Sequence, residues 1–371
     1  MKFLIITHVP HVVDNKQFFA YAPYVREMNI WSNYVEELII LAPISKLEKS
    51  AIDINYDHTK IKFIEITSFN LLNVKSVVRS IINLPKICWK IYFTMKSADH
   101  IHLRCPGNVG LLGCLMQVFF PFKPKSAKYA GNWDSKSRQP LSYRLQRWIL
   151  SSTLFTKNMQ VLVYGEWENS SKNIKSFFTA TYSENEKLSF HNKKSNQTFK
   201  FIFVGTLVKG KNPFYAIQLI ENLIKKGVDV HLEFYGDGIL KTDLQGYVCR
   251  NKLENYIDFF GNQTMEVVKT AYLESHFVIL PSESEGWPKA IAEGMFWGCV
   301  PISTKVSCIP YMLDFGNRGL FLELNLEKDT LKIISILESE SEFNILSKNA
   351  FDWSNVFTID KFESEIKKIL Q

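Results

Sequence analysis

The chain has no apolar run approaching the roughly 20 residues that a membrane-spanning helix requires. Its six cysteines (Cys88, Cys105, Cys114, Cys249, Cys299 and Cys308) lie far apart, with no CxxC pair and no histidine at metal-ligand spacing. A cysteine-built metal site is therefore excluded, and a reduced, cytoplasmic protein is expected. GxGxxG is missing from the strand–helix junctions, which removes the signature of a dinucleotide-dependent dehydrogenase. No DxD-like acidic pair sits in a suitable loop, so metal-independent chemistry without a cofactor is expected. The opening MKFLIITHVPHVV is broken by His8, Pro10 and His11, and no small-residue cleavage site follows, so it reads as a buried strand and not as a leader. With nothing routing the chain outward, the sequons at Asn169, Asn196 and Asn262 read as accidental.

What is present is an ordinary globular balance, 46% hydrophobic and 22% charged residues. At 371 residues the chain exceeds the size at which one core keeps growing, so two domains are expected. Charge is unevenly spread. Residues 1–180 hold 23 Lys and Arg against 12 Asp and Glu, whereas residues 181–371 hold 21 against 25. The basic half suits an anionic partner such as a membrane surface, a lipid phosphate or nucleic acid.

The second half alternates strand-like and helix-like runs: strand Lys200–Val204, helix Phe214–Lys226, strand Val230–Tyr235, strand Phe277–Leu280, helix Pro288–Trp297 and strand Val300–Ser303. That alternation implies a parallel sheet with helices on both faces. Strand-like runs at Phe3–Thr7, Glu37–Ala42, Ile61–Ile66, Ile101–Leu103 and Ala127–Ala130 make the first half α/β as well. The polar stretch Ser183–Thr198 reads as a linker, and Thr358–Leu370 as an amphipathic closing helix.

Leu280–Gly298 carries the most chemistry. A buried strand enters a Ser/Glu/Gly loop, and Pro288 then opens a helix at a position where its missing N–H costs nothing. Amides of the first turn, near Lys289 and Ala290, can bind a phosphate with the help of the helix dipole. Glu285 precedes the helix and Glu293 lies inside it, so both can face one ligand, and a carboxylate accepts two sugar hydroxyls at once. An acidic pair that only complements the helix dipole is the structural alternative.

EGWPKAIAE resembles the E-x7-E element of the retaining glycosyltransferases of family 4, also called group 1, and the following GCVPIST is similar to that family's G-x-P-V-I-x-T run. The resemblance covers residues 200–350 well and the first half poorly. It implies an α/β GT-B fold, two Rossmann-like doubly wound domains facing across a cleft. Residues 1–182 would bind the acceptor and 200–352 the nucleotide-sugar, with a linker at 183–199 and a helix at 353–371 returning toward the N-terminal domain. By the same resemblance Glu285 contacts the donor hexose, Glu293 the ribose, and the backbone of Gly286, Trp287, Lys289 and Ala290 the diphosphate. FVGTLVKGKN is similar to the family's V-G-R-L-x-x-x-K-G loop, which clamps the diphosphate. Gly205 and Lys211 occupy matching places, Thr206 stands where the family has Arg, and Lys209 lies three residues on as a compensating cation. A solvated loop is the alternative for these lysines. Gly236-Asp237-Gly238 is similar to the family's G-x-G turn, and Phe260-Gly261-Asn262 to the segment beside the nucleobase.

The first half lacks the family's cleft-facing histidine; in KYAGNWDSKSR, Asp134 is the substitute candidate for polarising the acceptor hydroxyl, or else it closes a turn. His8 and His11 follow the first strand and are acceptor candidates, or else cap local backbone. The resemblance implies transfer with retention, the departing phosphate accepting the acceptor proton, in bacterial surface polysaccharide or glycolipid assembly. A GT-B-fold 2-epimerase and a non-catalytic nucleotide-sugar-binding module are the alternatives. Partners would be a nucleotide-sugar donor, a saccharide or lipid-linked acceptor and an anionic membrane surface, without nucleic acid. Lys75–Lys96 and Phe119–Lys125 mix lysines with apolar side chains in the manner of a bilayer-interface segment, with Pro85 expected to split the first into two short helices.

Overall fold

The computed structural model describes residues 1–45, 47–50, 53–67, 74–193 and 198–371, with backbone alone at 74–81. The Asn196 sequon and the side chains of Lys75, Val77, Val78, Arg79 and Ile81 lie outside the described residues. The chain divides into two compact units, Met1–Phe177 with Phe362–Gln371, and Phe178–Lys361, so 178–199 go with the second. Among the described residues no helix is long and apolar enough to cross a membrane.

The first unit contains β1 (Lys2–Ile6), β2 (Val12–Asp14), β3 (Gln17–Tyr21), α1 (Ala22–Ser32), β4 (Glu37–Ala42), β5 (Asp53–Asn55), β6 (Ile61–Glu65), α2 (Val74–Ser97), β7 (His100–Cys105), α3 (Asn108–Met116), β8 (Lys125–Tyr129), α4 (Leu141–Leu150), β9 (Met159–Tyr164) and β10 (Ile174–Phe177). Seven strands form a parallel sheet in the order β10-β9-β8-β7-β1-β4-β6, and β2, β3 and β5 form a small antiparallel one. Unbroken apolar runs such as FLII in β1 and LIILA in β4 are buried on both faces, as a sheet covered on both sides requires. Leu4, Leu103 and Val161 pack beneath Ile91 of α2, Leu112 of α3 and Ile149 of α4. Contrary to expectation, α2 continues through Pro85 as one helix. Proline inside a helix costs about 3 kcal/mol; burial of Ile87, Ile91 and Met95 on the following turns outweighs that cost.

The second unit contains β11 (Phe199–Val204), α5 (Pro213–Lys225), β12 (Val230–Tyr235), α6 (Lys241–Arg250), β13 (Ile257–Gly261), α7 (Met265–Glu274), β14 (Phe277–Leu280), α8 (Lys289–Phe296), β15 (Val300–Thr304), α9 (Ile309–Met312), β16 (Leu320–Leu322), α10 (Leu326–Leu337) and α11 (Glu340–Ser354). Its parallel sheet has the order β13-β12-β11-β14-β15-β16. The last helix, α12 (Ile359–Leu370), buries Phe362, Ile366 and Ile369, and Phe362 packs on Phe177 within the first unit. Both large sheets are doubly wound. Strand order reverses between β1 and β7 in the first and between β11 and β14 in the second, and a ligand crevice opens at the carboxyl ends of strands at such a reversal.

Candidate active site

At the reversal in the second sheet, the loop after β11 meets the loop after β14. Glu283 N–H donates to the Gly210 carbonyl (2.9 Å), and Lys211 Nζ lies 2.5 Å from Glu285 Oε1. The Glu285 side chain is 6% exposed and that of Lys211 30%, so a carboxylate almost withdrawn from water is held by a cation that still faces outward. The loop after β12 closes in from the other side: Gly205 N–H donates to Tyr235 O (2.9 Å) and Leu207 N–H to Asp237 O (3.0 Å). This approach needs glycine. At Gly236, where φ is +142°, a Cβ would overlap the Gly205 carbonyl oxygen, and at Gly238 it would overlap the Leu207 backbone. Gly236 N–H also donates to Gly261 O (2.8 Å), which ties in the end of β13. There Asn262 is exposed and Phe260 stacks on Tyr235 at 5.0 Å. Thr206 and Lys209 are exposed on the first of these loops.

The helix α8 starts at Lys289, with Pro288 at its cap and no side chain capping the first turn, so the amides at Ala290 and Ile291 have no acceptor inside the helix. The carbonyl of Gly286 accepts from the Ser307 hydroxyl (3.3 Å), while Trp287 is buried against Trp353. Glu293 has its own partners. Thr181 Oγ1 donates to Oε1 (2.7 Å) and Tyr272 OH to Oε2 (3.4 Å). Burial raises its pKa above the ordinary carboxylate value, against the opposing effects of Thr181 and Lys289. The arrangement thus gathers Gly205, Lys211, Gly236, Gly238, Glu285 and Gly286 around one reversal point, with Glu293 further along α8. Among the described residues no group of three or more His, Cys, Asp or Glu is placed to hold a metal ion.

In the first unit His8 lies at the β1/β7 reversal, so close to Gly107 that a Cβ there would come within 2.6 Å of Nδ1. Partial burial and the Arg104 guanidinium lower its pKa. His11 is not available to an acceptor, contrary to expectation. It is fully buried, Nε2 pairs with Tyr56 OH (2.7 Å), Nδ1 with Val9 O (2.9 Å), and burial pushes its pKa down to about 4. Asp134 closes a turn, its Oδ1 accepting from Lys136 N–H (2.8 Å) while its carbonyl accepts from Arg147 (2.8 Å). Sequence reasoning missed Arg104 at the end of β7, which pairs with Glu27 (2.7 Å), itself paired with the fully buried Lys128 (3.0 Å). A charge closing the apolar run HIHLRC was the available signal. It also missed Thr181, which nothing local connects to Glu293.

Residues 184–353 match the family model described as glycosyl transferases group 1. These residues carry the group 1 pattern. The chain is 27% identical over 171 residues to an uncharacterized glycosyltransferase of Methanocaldococcus jannaschii, covering 46% of this chain and 47% of that one. It is 27% identical over 229 residues to the capsular polysaccharide biosynthesis glycosyltransferase CapH of Staphylococcus aureus, covering 60% and 56%. The match therefore spans about half the length of these curated relatives. The structure of Anabaena HepE, solved with UDP and glucose, aligns with a TM-score of 0.68 at 14% identity, over 100% of this chain and 99% of that one. That likeness is one of fold, and the fold is GT-B.

Proposed function

We propose that this chain transfers a sugar from a nucleotide diphosphate-sugar to a saccharide or lipid-linked acceptor, with retention and without a metal or other cofactor, in the assembly of a surface polysaccharide or glycolipid. The observation that carries the reading is the Lys211–Glu285 pair at the strand reversal, beside the uncapped start of α8. An arriving diphosphate offers Lys211 a stronger anionic partner. The exchange releases Glu285 to accept hydrogen bonds from the hexose, while the α8 amides and Lys209 share the phosphate charge. Charge that develops on the leaving diphosphate then meets donors already in place, which is worth more in a site partly closed to water than in solution. Glu293 holds the ribose, and the departing phosphate takes the acceptor proton, so no protein nucleophile is required. His8 and the remaining carboxylate oxygen of Asp134 are assigned to the acceptor. The description of CapH supports the polysaccharide setting, and HepE, solved with UDP and glucose, makes UDP-sugars the first donors to test.

The test is a thermal-shift panel of UDP- and GDP-sugars, where a ligand at 100 times its dissociation constant stabilises by about 2.7 kcal/mol. Nucleotide release on adding acceptors, and the anomeric configuration of the product by NMR, follow. A chain that no nucleotide-sugar stabilises, and that releases no nucleotide, is not a transferase of this kind.

A further inference from the structure

We infer that the outer face formed by α2, α3 and α4 of the first unit is a bilayer-interface surface that takes anionic lipid headgroups. The inference stands apart from the transfer reading, because it rests on this unit's surface and its test needs no donor. The helix α3 packs between α2 and α4, so the three make one continuous layer over the sheet. Their inner faces supply the core already described. On α2 the outward stripe is Ile82, Lys86, Trp89, Phe93 and Lys96, spaced four and three residues apart so that every one falls on the solvent side. The outward stripe of α4 has the same make-up, Leu141, Arg144, Leu145 and Trp148. Between them Leu115, Phe119 and Phe122 project from α3 and the turn after it. Exposure is 62% for Trp89, 60% for Trp148, 66% for Phe119 and 90% for Phe122, a concentration of large apolar side chains that a surface meeting only water does not favour.

Charge selects the occupant. Between Val74 and Lys157 the only acidic residues are Asp99 and Asp134, against fourteen Lys and Arg. Some of those cations serve the interior: Lys125 is buried and donates to Phe120 O (2.6 Å), and Lys123 donates to the Lys96 and Ala98 carbonyls. Lys86, Lys96 and Arg144 stay on the surface, set among the aromatic rings. A second copy of this face would bring cations against cations with almost no carboxylate to pair them. A nucleic-acid groove pairs its cations with aromatic rings that stack on bases, whereas here the exposed aliphatic side chains Ile82, Leu115, Leu141 and Leu145 share the face and offer a base nothing to stack on. An anionic bilayer answers both features at once: rings enter the headgroup boundary while the lysine and arginine heads meet lipid phosphates.

The experiment is flotation of the full chain with vesicles of phosphatidylcholine alone or mixed with phosphatidylglycerol, at low and high salt, with tryptophan emission read in the floated fraction. Wild type should float with the mixed vesicles at low salt, shift its emission to the blue, stay behind with phosphatidylcholine alone and be released by salt. The variant Lys86→Glu/Lys96→Glu/Arg144→Glu should lose about a hundredfold or more in partitioning, each removed cation contributing about fivefold. The variant Trp89→Ser/Phe119→Ser/Phe122→Ser should bind more weakly and lose most of the blue shift. These side chains are exposed, so both variants should keep the wild-type melting temperature. Failure of wild type to float with anionic vesicles at low salt overturns the inference. So does equal flotation of the charge variant, or a wild type that dimerises or retards DNA while ignoring vesicles.

Discussion

Replacing Lys211 with Met separates two roles that the free protein combines in one side chain. Without donor, Lys211 is the counterion of a nearly buried carboxylate, with Glu285 6% and Lys211 30% exposed at 2.5 Å. An exposed pair is worth up to about 1 kcal/mol, and breaking a fully buried one costs about 3–5 kcal/mol, so this half-open pair should cost about 1–3 kcal/mol when Lys211 is lost. At about 2–4 °C per kcal/mol for a unit of this size, the melting temperature should fall by roughly 2–12 °C. Adding Glu285→Gln removes the stranded charge, and the double variant should recover most of that loss. Turnover should follow a different rule. Loss of a preorganised cation at the leaving diphosphate should cost about 10²–10³-fold, and Glu285→Gln cannot restore it. Melting curves with and without nucleoside diphosphate, alongside release of nucleoside diphosphate from the donor, measure both quantities on the same three proteins. If turnover returns together with the melting temperature in the double variant, the pair is a structural tie and the phosphate assignment is wrong. A single variant turning over at nearly the wild-type rate refutes it more directly.

In the proposed ribose role Glu293 is the stronger acceptor as the anion, and burial raises its pKa, so nucleoside diphosphate affinity should fall on mild acidification, above the pH at which an ordinary glutamate titrates. Glu293→Gln should bind weakly and flatten that dependence, and calorimetry showing the same pH profile in both proteins would refute the role. Gly236→Ala forces a side chain into the Gly205 carbonyl at φ +142°, so strain of about 1–3 kcal/mol or more should lower the melting temperature and weaken donor binding. Gly210→Ala, on the same surface with open space around it, should be nearly silent; equal effects of the two would show that the loop contact is not tight. In the first unit, burial alone would raise Glu27, but Arg104 and Lys128 hold its pKa down at about 2. A depressed folded-state pKa means that this contribution is complete above the ordinary value of 4.5 and is lost as pH falls toward 2. Glu27→Gln should therefore cost about 3–5 kcal/mol in urea unfolding at neutral pH, by removing the carboxylate that Arg104 and Lys128 share, and should show a smaller loss of stability on acidification. A variant as stable as wild type would mean that the two cations find other partners.

The candidate site in the second unit was legible because its information is local. Leu280–Gly298 contains its own strand, loop, proline start and helix, and Val230–Tyr235 and Phe277–Leu280 are strands with the bounds the apolar runs imply. The small antiparallel sheet of β2, β3 and β5 was not legible, since its strands are three to five residues long and owe their pairing to each other.

Hydrophobic periodicity and turn chemistry act over a few residues, so the sequence by itself determined two α/β halves, the glycine turns, the place of Lys211 and Glu285 in loops that follow strands, and that of Glu293 inside the next helix. Which polar groups meet was decided only by tertiary structure. Arg104 reaches Glu27 across 77 positions and Thr181 reaches Glu293 across 112. His11 was drawn inward, where Tyr56, 45 positions away, satisfies it, and Lys125 is buried as well, with the nearby Phe120 carbonyl as its acceptor. The helix crosses Pro85 because downstream packing outweighs a local penalty. A histidine or lysine carries no local mark of burial, because the free energy that decides it lies in partners that only the folded chain brings near.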